Sequence, residues 1–307
     1  MGTSLFHGLA AQRIVFWTIP WLAWCVAKPT EIELPDGTRI RILYEDRAVL
    51  VLDKPAGWIL GPDDWEHTLR NLPLALQSSI RAGDYWARSR NLRFLKHVHR
   101  LDAGTTGILL CSKSQGAIEP LSRLFADRQV QKTYLAVTDG IPKQKEWKCS
   151  IPLGPDPREP GRHQMDTKAG KQAETEFRVL ATRKYTALVE ARPHTGRTHQ
   201  IRLHLLAACT PVQGDDLYAT PHPQGLALRA IGLEYRDPFT GKPVRIRAPV
   251  EAFCSAHGFA VPAGLEARRK PVDPPAGRPK SPKTPPAATG VVSPEDPSGP
   301  AVEPPAV

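Results

Sequence analysis

Residues 173–193, AETEFRVLATRKYTALVEARP, constrain the fold more than any other stretch of this 307-residue chain. Apolar and polar side chains alternate along both arms, and Arg183 and Lys184 make a basic turn between them. Alternation with a period of two sets one face against a core and the other in water, as in half-buried antiparallel strands. The signal recurs on both sides. RIRILYED alternates and runs through a short turn into AVLVLDKPAG, an aliphatic run closed by its Pro and Gly. Gly107–Ser112 reads as a buried strand and KTYLAV as another, and two more are expected around Leu226–Tyr235 and Val244–Arg247. Helical spacing is confined to His67–Ile80, where Pro73 should bend or delay the helix, to SQGAIEPLSRLFADRQV with Ser114 as its cap, and to GRTHQIRLHLLAAC with Ile201, Leu205 and Ala208 on one face. A short helix is expected after the last strand. Strands adjacent in sequence and joined by short turns predict an α+β fold, a mainly antiparallel mixed sheet with flanking helices and loops.

The two ends fall outside this pattern. Ile14–Ala27, IVFWTIPWLAWCVA, is bracketed by Arg13 and Lys28 and is shorter than the ~20 apolar residues of a membrane span. A basic residue, a short apolar stretch and small Ala27 imitate a signal peptide. Pro20 within the run and the basic, disulfide-poor remainder favour instead an N-terminal extension, or a start codon set too far upstream. From Pro262 the chain becomes Pro-rich with almost no large apolar side chain, and such a segment cannot offset the entropy of ordering itself. The expected organisation is an extension over 1–37 with no assigned role, one folded domain over 38–260 and a disordered tail over 261–307. Arg268, Arg269 and Lys270 in that tail are expected to be solvated, without specific contacts.

Lys and Arg number 41 against 31 Asp and Glu, a formal charge of +10, which is the electrostatic footprint of a protein that meets polyanions. Five cysteines, Cys25, Cys111, Cys149, Cys209 and Cys254, include no C-x-x-C pair and are odd in number, so they read as reduced residues of an intracellular protein. His97 with His99, and His199 with His204, lie close in sequence, but no Cys or carboxylate completes a zinc spacing, and no metal is expected. The chain has no internal repeat and no Gly-rich phosphate loop, which disfavours Rossmann and P-loop enzymes.

HRLDAGTTGILL, residues 99–110, sets one carboxylate at the mouth of an expected strand. Alone, Asp102 would be read as an Asx-turn or a cap. Its company changes that reading. HRLDAGTTGILLCSKS resembles the first signature of the RluA-type pseudouridine synthases, and TGRTHQIRLHL resembles the second. ILYEDRAVLVLDKPAG, KTYLAV, GDDLYA and LEYRDPFTGKPVRIRAPV match in the same order, so the resemblance runs from Ile40 to Phe259.

The resemblance implies the pseudouridine synthase catalytic fold and the isomerisation of specific uridines in rRNA or tRNA, without a cofactor. The base is cut from the ribose, turned and rejoined through carbon. Asp102 matches the family's catalytic aspartate, and attack on the sugar, addition to the base and abstraction of a sugar proton all stay open to it. Arg202 matches its partner, a group that stays charged and offers a planar fork to a carboxylate. Tyr134 matches the tyrosine that stacks on the target base and removes a carbon-bound proton. A target inside folded RNA must leave its stack, and Arg100 matches the position that fills the gap. RSRNLRFLKHVHR is expected to contact the RNA backbone through Arg88, Arg90, Arg93, Lys96 and Arg100, and His99, Arg197, His199 and Gln200 complete the expected RNA-binding set.

The chain departs from the pattern at Thr106, where Ser is usual, and at Arg229, where many relatives carry His. No S4-type RNA-binding domain is expected at the N-terminus, so target choice falls to the catalytic body, its insertions or the tail. A non-catalytic RNA-binding or RNA-folding paralogue is the alternative, and intact Asp102, Tyr134 and Arg202 argue against it. A secreted glycan-cleaving enzyme would need a second, opposed carboxylate that the motif lacks. The expectation is a monomeric cytoplasmic enzyme of RNA, without membrane attachment or protein partner, whose affinity for RNA falls with salt.

Overall fold

Thirteen short strands and five helices follow one another over residues 27–34, 36–61 and 70–265, the residues described by the computed structural model. All of them belong to the first of two units, Met1–Arg269; the second, Lys270–Val307, lies outside the described residues. So do the apolar run before Ala27 and the tail beyond Leu265, and with them the expectations made for those segments. In chain order the elements are β1 (Glu31–Glu33), β2 (Arg39–Glu45), β3 (Val49–Lys54), α1 (Leu72–Ala82), α2 (Tyr85–Arg88), β4 (Lys96–His97), β5 (Thr106–Ser112), α3 (Gln115–Ala126) and β6 (Gln131–Asp139). Then come β7 (Glu146–Cys149), β8 (Leu153–Pro155), β9 (His163–Met165), β10 (Thr175–Arg183), β11 (Thr186–Pro193), α4 (Gln200–Ala207), β12 (Leu228–Arg236), β13 (Pro243–Arg247) and α5 (Glu251–Ala256).

One sheet runs in the order β1-β2-β3-β5-β12-β6-β11-β10-β7, with β4 paired to β5 and β13 to β12, while β8 and β9 form a hairpin of their own. It is mainly antiparallel and mixed, as the short turns predict. Among the described strands the one parallel pair is β5 with β12, Thr106 facing Arg229 and Gly107 facing Ala230. This pair joins the two halves of the sheet, and it requires a glycine. Gly107 has φ +105°, and a Cβ there would overlap the Ala230 carbonyl. Gly107→Ala is therefore expected to cost roughly 2–4 kcal/mol from backbone strain and overpacking combined. Urea unfolding of the variant beside wild type measures it.

The 173–193 hairpin forms with its turn one residue later than read, because Arg183 still pairs with Thr186 and leaves Lys184 and Tyr185 as the loop. Its arms also differ in burial. β10 alternates at first, but β11 is buried along almost its whole length, since it lies between β6 and β10 with α4 packed on it. Helix α1 starts at Leu72 rather than His67 within the described residues. Asn71 caps it by accepting the Leu74 N–H at 3.2 Å, and Pro73 sits in the first turn, where a missing N–H costs nothing. Ser114 does take the cap position of α3 with extended backbone, but its hydroxyl makes no capping bond.

The apolar residues divide into two main clusters. One gathers Leu50, Leu52, Leu72, Leu109 and Leu121 around β3, β5, α1 and α3, and the other gathers Leu135, Leu188, Leu205 and Cys254 around β6, β11, α4 and α5. Tyr134 packs against both.

Candidate active site

Asp102 lies on the loop between β4 and β5, and its turn is made by the main chain. The Thr105 N–H donates to the Asp102 carbonyl at 3.1 Å. Behind the loop Lys54, at the end of β3 and with no exposed surface, donates to the carbonyls of Pro55, Ala103 and Thr105 at 2.9–3.0 Å. Burial pulls this ammonium down to about 8, and the nearby Asp102 charge opposes that shift. A turn secured by Lys54 leaves the Asp102 carboxylate for other work, and its side chain keeps 25% exposure.

The group it meets is Arg202, third residue of α4, whose side chain is 4% exposed. A buried guanidinium needs acceptors, and Asp215 supplies two: Nε donates to Oδ2 at 2.8 Å and Nη2 to Oδ1 at 2.5 Å. Asp215 is itself fully buried, and its Oδ1 accepts the N–H groups of Leu217 and Tyr218 at 3.1 Å. With two of its nitrogens committed, Arg202 presents Nη1 to Asp102, 3.4 Å from Oδ2. Burial acts against the charge on Arg202, but Asp215 and then Asp102 outweigh it and raise its pKa.

Both groups face a cleft of about 510 Å³, which is also lined by Arg100, Phe125, Arg128, Lys132, Tyr134 and Arg197. A lone carboxylate in a basic pocket, backed by an arginine that a second buried aspartate aims, is an arrangement for acting on a bound polyanion. The RNA pseudouridylate synthase family matches residues 48–207, just over half of the chain. The chain belongs to this family.

The relatives agree. The ribosomal large subunit pseudouridine synthase C of Pasteurella multocida is 34% identical over 69% of this chain and 64% of its own length. The protein of the same name in Escherichia coli (strain K12) is 34% identical over 68% of this chain and 66% of its own length. The chain thus spans just under two thirds of these relatives. Among solved structures, human RNA pseudouridylate synthase domain containing 1 superposes with a TM-score of 0.56 at 25% identity, over 69% of this chain and 84% of that one.

Against this synthase frame, the residues read from the sequence separate into three groups. Asp102, Arg202, Tyr134, Arg100, Arg197 and His199 all line the cleft. Burial, with the Asp102 charge adding to it, drives the Tyr134 phenol well above its usual range. His99 also borders the cleft, but its ring has a structural job: Nε2 accepts the Leu110 N–H at 3.0 Å, the ring stacks on Phe125, and burial pushes it down to about 3. Gln200 also lines the cleft, but its amide is engaged inward: Oε1 accepts from Thr195 and from the Arg197 N–H, while Nε2 donates to the Glu174 carbonyl and to Thr175.

The basic run is not one patch. Arg90 is corrected outright: with 4% side-chain exposure it donates to Glu45 at 2.8 Å and to the carbonyls of Pro29 and Trp86. Arg88, Arg93 and Lys96 are exposed but do not line the cleft, and Lys96 pairs with Ser112 at the end of β5 away from Asp102. His204, once weighed with His199, turns inward onto Thr175 and the Ile151 carbonyl. Arg229 also stays out of the cleft and reaches from β12 to Asp53 on β3 at 2.8 Å, bracing the strand pair across β5. Three contributors carried too little sequence signal to be named: Asp215, Lys54 and Lys132, whose Nζ donates to the Thr195 carbonyl at 2.8 Å.

Proposed function

We propose that this chain isomerises specific uridines of large-subunit ribosomal RNA to pseudouridine, with residues 38–260 as its catalytic domain. The observation that carries the reading is the Asp102 carboxylate, open to a cleft and faced by a guanidinium that Asp215 fixes from behind. The names of the relatives favour ribosomal over transfer RNA.

The reaction breaks the bond between C1′ and N1, turns the uracil and joins C1′ to C5, while C5 loses a proton and N1 gains one. Atoms and electrons balance within the nucleoside, so no co-substrate is consumed. Asp102 supplies the carboxylate needed while the glycosidic bond is open, and Arg202 orients it. Tyr134 acts as the stacking surface for the base and is the group within the cleft placed to take the proton from C5. Arg100, exposed at the rim, has the reach and flat cationic head to enter the vacated stack. Arg128, Lys132 and Arg197 suit phosphates, giving an affinity that falls steeply with salt. A ribosomal substrate supports a cytoplasmic location.

The test is release of tritium from large-subunit ribosomal RNA transcribed with uridine labelled at C5, followed by mapping of the modified positions. Release that saturates at a whole number of sites per RNA is expected. No release from ribosomal or transfer RNA at any enzyme concentration would overturn the proposal.

A further inference from the structure

His199 was read from the sequence as an RNA contact, yet its ring is turned to Asp102. It sits at the N-cap of α4 with φ +55°, a left-handed backbone that few residues other than Gly, Asn, Asp and His take readily. That backbone carries the imidazole between two partners. Nε2 lies 4.0 Å from Oδ1 of Asp102, the oxygen that Arg202 does not face, and Nδ1 lies 2.8 Å from the hydroxyl of Tyr218. The His199 side chain is 10% exposed.

The hydrogen bonds around Tyr218 allow two tautomers of His199, and the charge on Asp102 chooses between them. The Tyr218 hydroxyl accepts the His163 N–H at 3.0 Å and has one proton to give, for which the His163 carbonyl at 2.9 Å and Nδ1 of His199 compete. Were it given to the carbonyl, Nδ1 would carry the imidazole proton and the Nε2 lone pair would point at a carboxylate, two negative ends meeting. Given to Nδ1, it leaves Nε2–H aimed at Oδ1, an attractive contact in a site of low dielectric. Burial lowers the pKa of His199; the Asp102 charge opposes it, and Arg202 and His163 act in the same direction as burial.

We infer that His199 is a positioning residue for Asp102, its Nε2–H fixing the rotation of the carboxylate from the side opposite Arg202, with Tyr218 setting the tautomer. The inference rests on the proposed isomerase reading. A contact of 4.0 Å in the free enzyme closes by a small turn of the carboxylate once substrate fills the cleft, as catalytic hydrogen bonds commonly tighten only in the complex.

Two amides separate this role from a backbone or RNA-binding one. Gln places its N–H₂ where Nε2 lies, whereas Asn reaches only as far as Nδ1 but suits φ +55° better. Positioning predicts that His199→Gln keeps single-turnover rates within about threefold of wild type while His199→Asn loses roughly 10- to 100-fold, in the range of second-sphere partners that orient a reactive group, with RNA affinity unchanged in both. Tyr218→Phe, by freeing the tautomer, is expected to slow single-turnover chemistry without weakening RNA binding. Equal rates for Gln and Asn, or weakened RNA binding in both, would overturn the inference. A readout independent of activity is the imidazole ¹⁵N spectrum of the wild-type protein: an Nε2–H tautomer for His199 is required, and an Nδ1–H tautomer rejects it even if no RNA is turned over.

Discussion

Asp102→Ala is expected to abolish tritium release, lowering the single-turnover rate at least about 10⁴-fold, the scale on which losing the central reactive group of a site is felt. The same change should leave the fold nearly untouched. Asp102 is a quarter exposed, its turn is made by main-chain bonds and by Lys54, and Arg202 keeps both bonds to Asp215 without it. Unfolding free energy should change by less than about 1 kcal/mol, as for a partly solvated ion pair at long distance. RNA affinity should hold or rise, because the substitution removes a negative charge from a cleft lined by Arg100, Arg128, Lys132 and Arg197. Asp102→Asn, which keeps the size and loses the charge, should behave alike. The signature is therefore loss of chemistry with binding and stability intact. Measured together, tritium release, filter binding and urea unfolding test it, and turnover that persists in Asp102→Ala removes the carboxylate from the mechanism.

This separation of chemistry from stability explains which parts of the site could be read from the sequence. Asp102, Arg202 and Tyr134 lie in short motifs whose residue order is tied to the reaction, so each could be named from its neighbours. The strands were legible for a different reason, since period-two alternation reports burial directly, although it could not reveal that β11 lies within the sheet and is covered on both faces. Gln200 and Arg90 show where local reading stops. Polar side chains in a basic motif look like ligands, and only the folded chain reveals that Thr195, Thr175 and Glu174 already use up Gln200, or that Glu45, forty-five residues away, has buried Arg90. Lys54 was equally hidden: Lys-Pro-Ala-Gly reads as a turn, and the carbonyls it gathers at residues 103 and 105 come from a distant segment.

Asp215 is the clearest of these hidden contributors, and its removal should show the reverse signature to that of Asp102. Asp215→Ala leaves a guanidinium with 4% exposure facing only Asp102 and the exposed Asp216, whose Oδ1 is 3.6 Å away, and it strips the Leu217 and Tyr218 N–H groups of their acceptor. Breaking one side of a buried ion pair typically costs ~3–5 kcal/mol, so this variant should unfold at markedly lower urea. Activity should fall as well, but through geometry: Arg202, freed from Asp215, swings fully onto Asp102 and neutralises the carboxylate it had only oriented. Asp215→Asn discriminates between the two effects, since its amide oxygen can still accept from the turn and from one guanidinium nitrogen. It should recover most of the stability while remaining slow, because a neutral partner no longer competes with Asp102 for the charge on Arg202. If instead Asp215→Asn were as fast as wild type, the guanidinium would need no opposing anion, and the division of labour between the two aspartates would have to be abandoned.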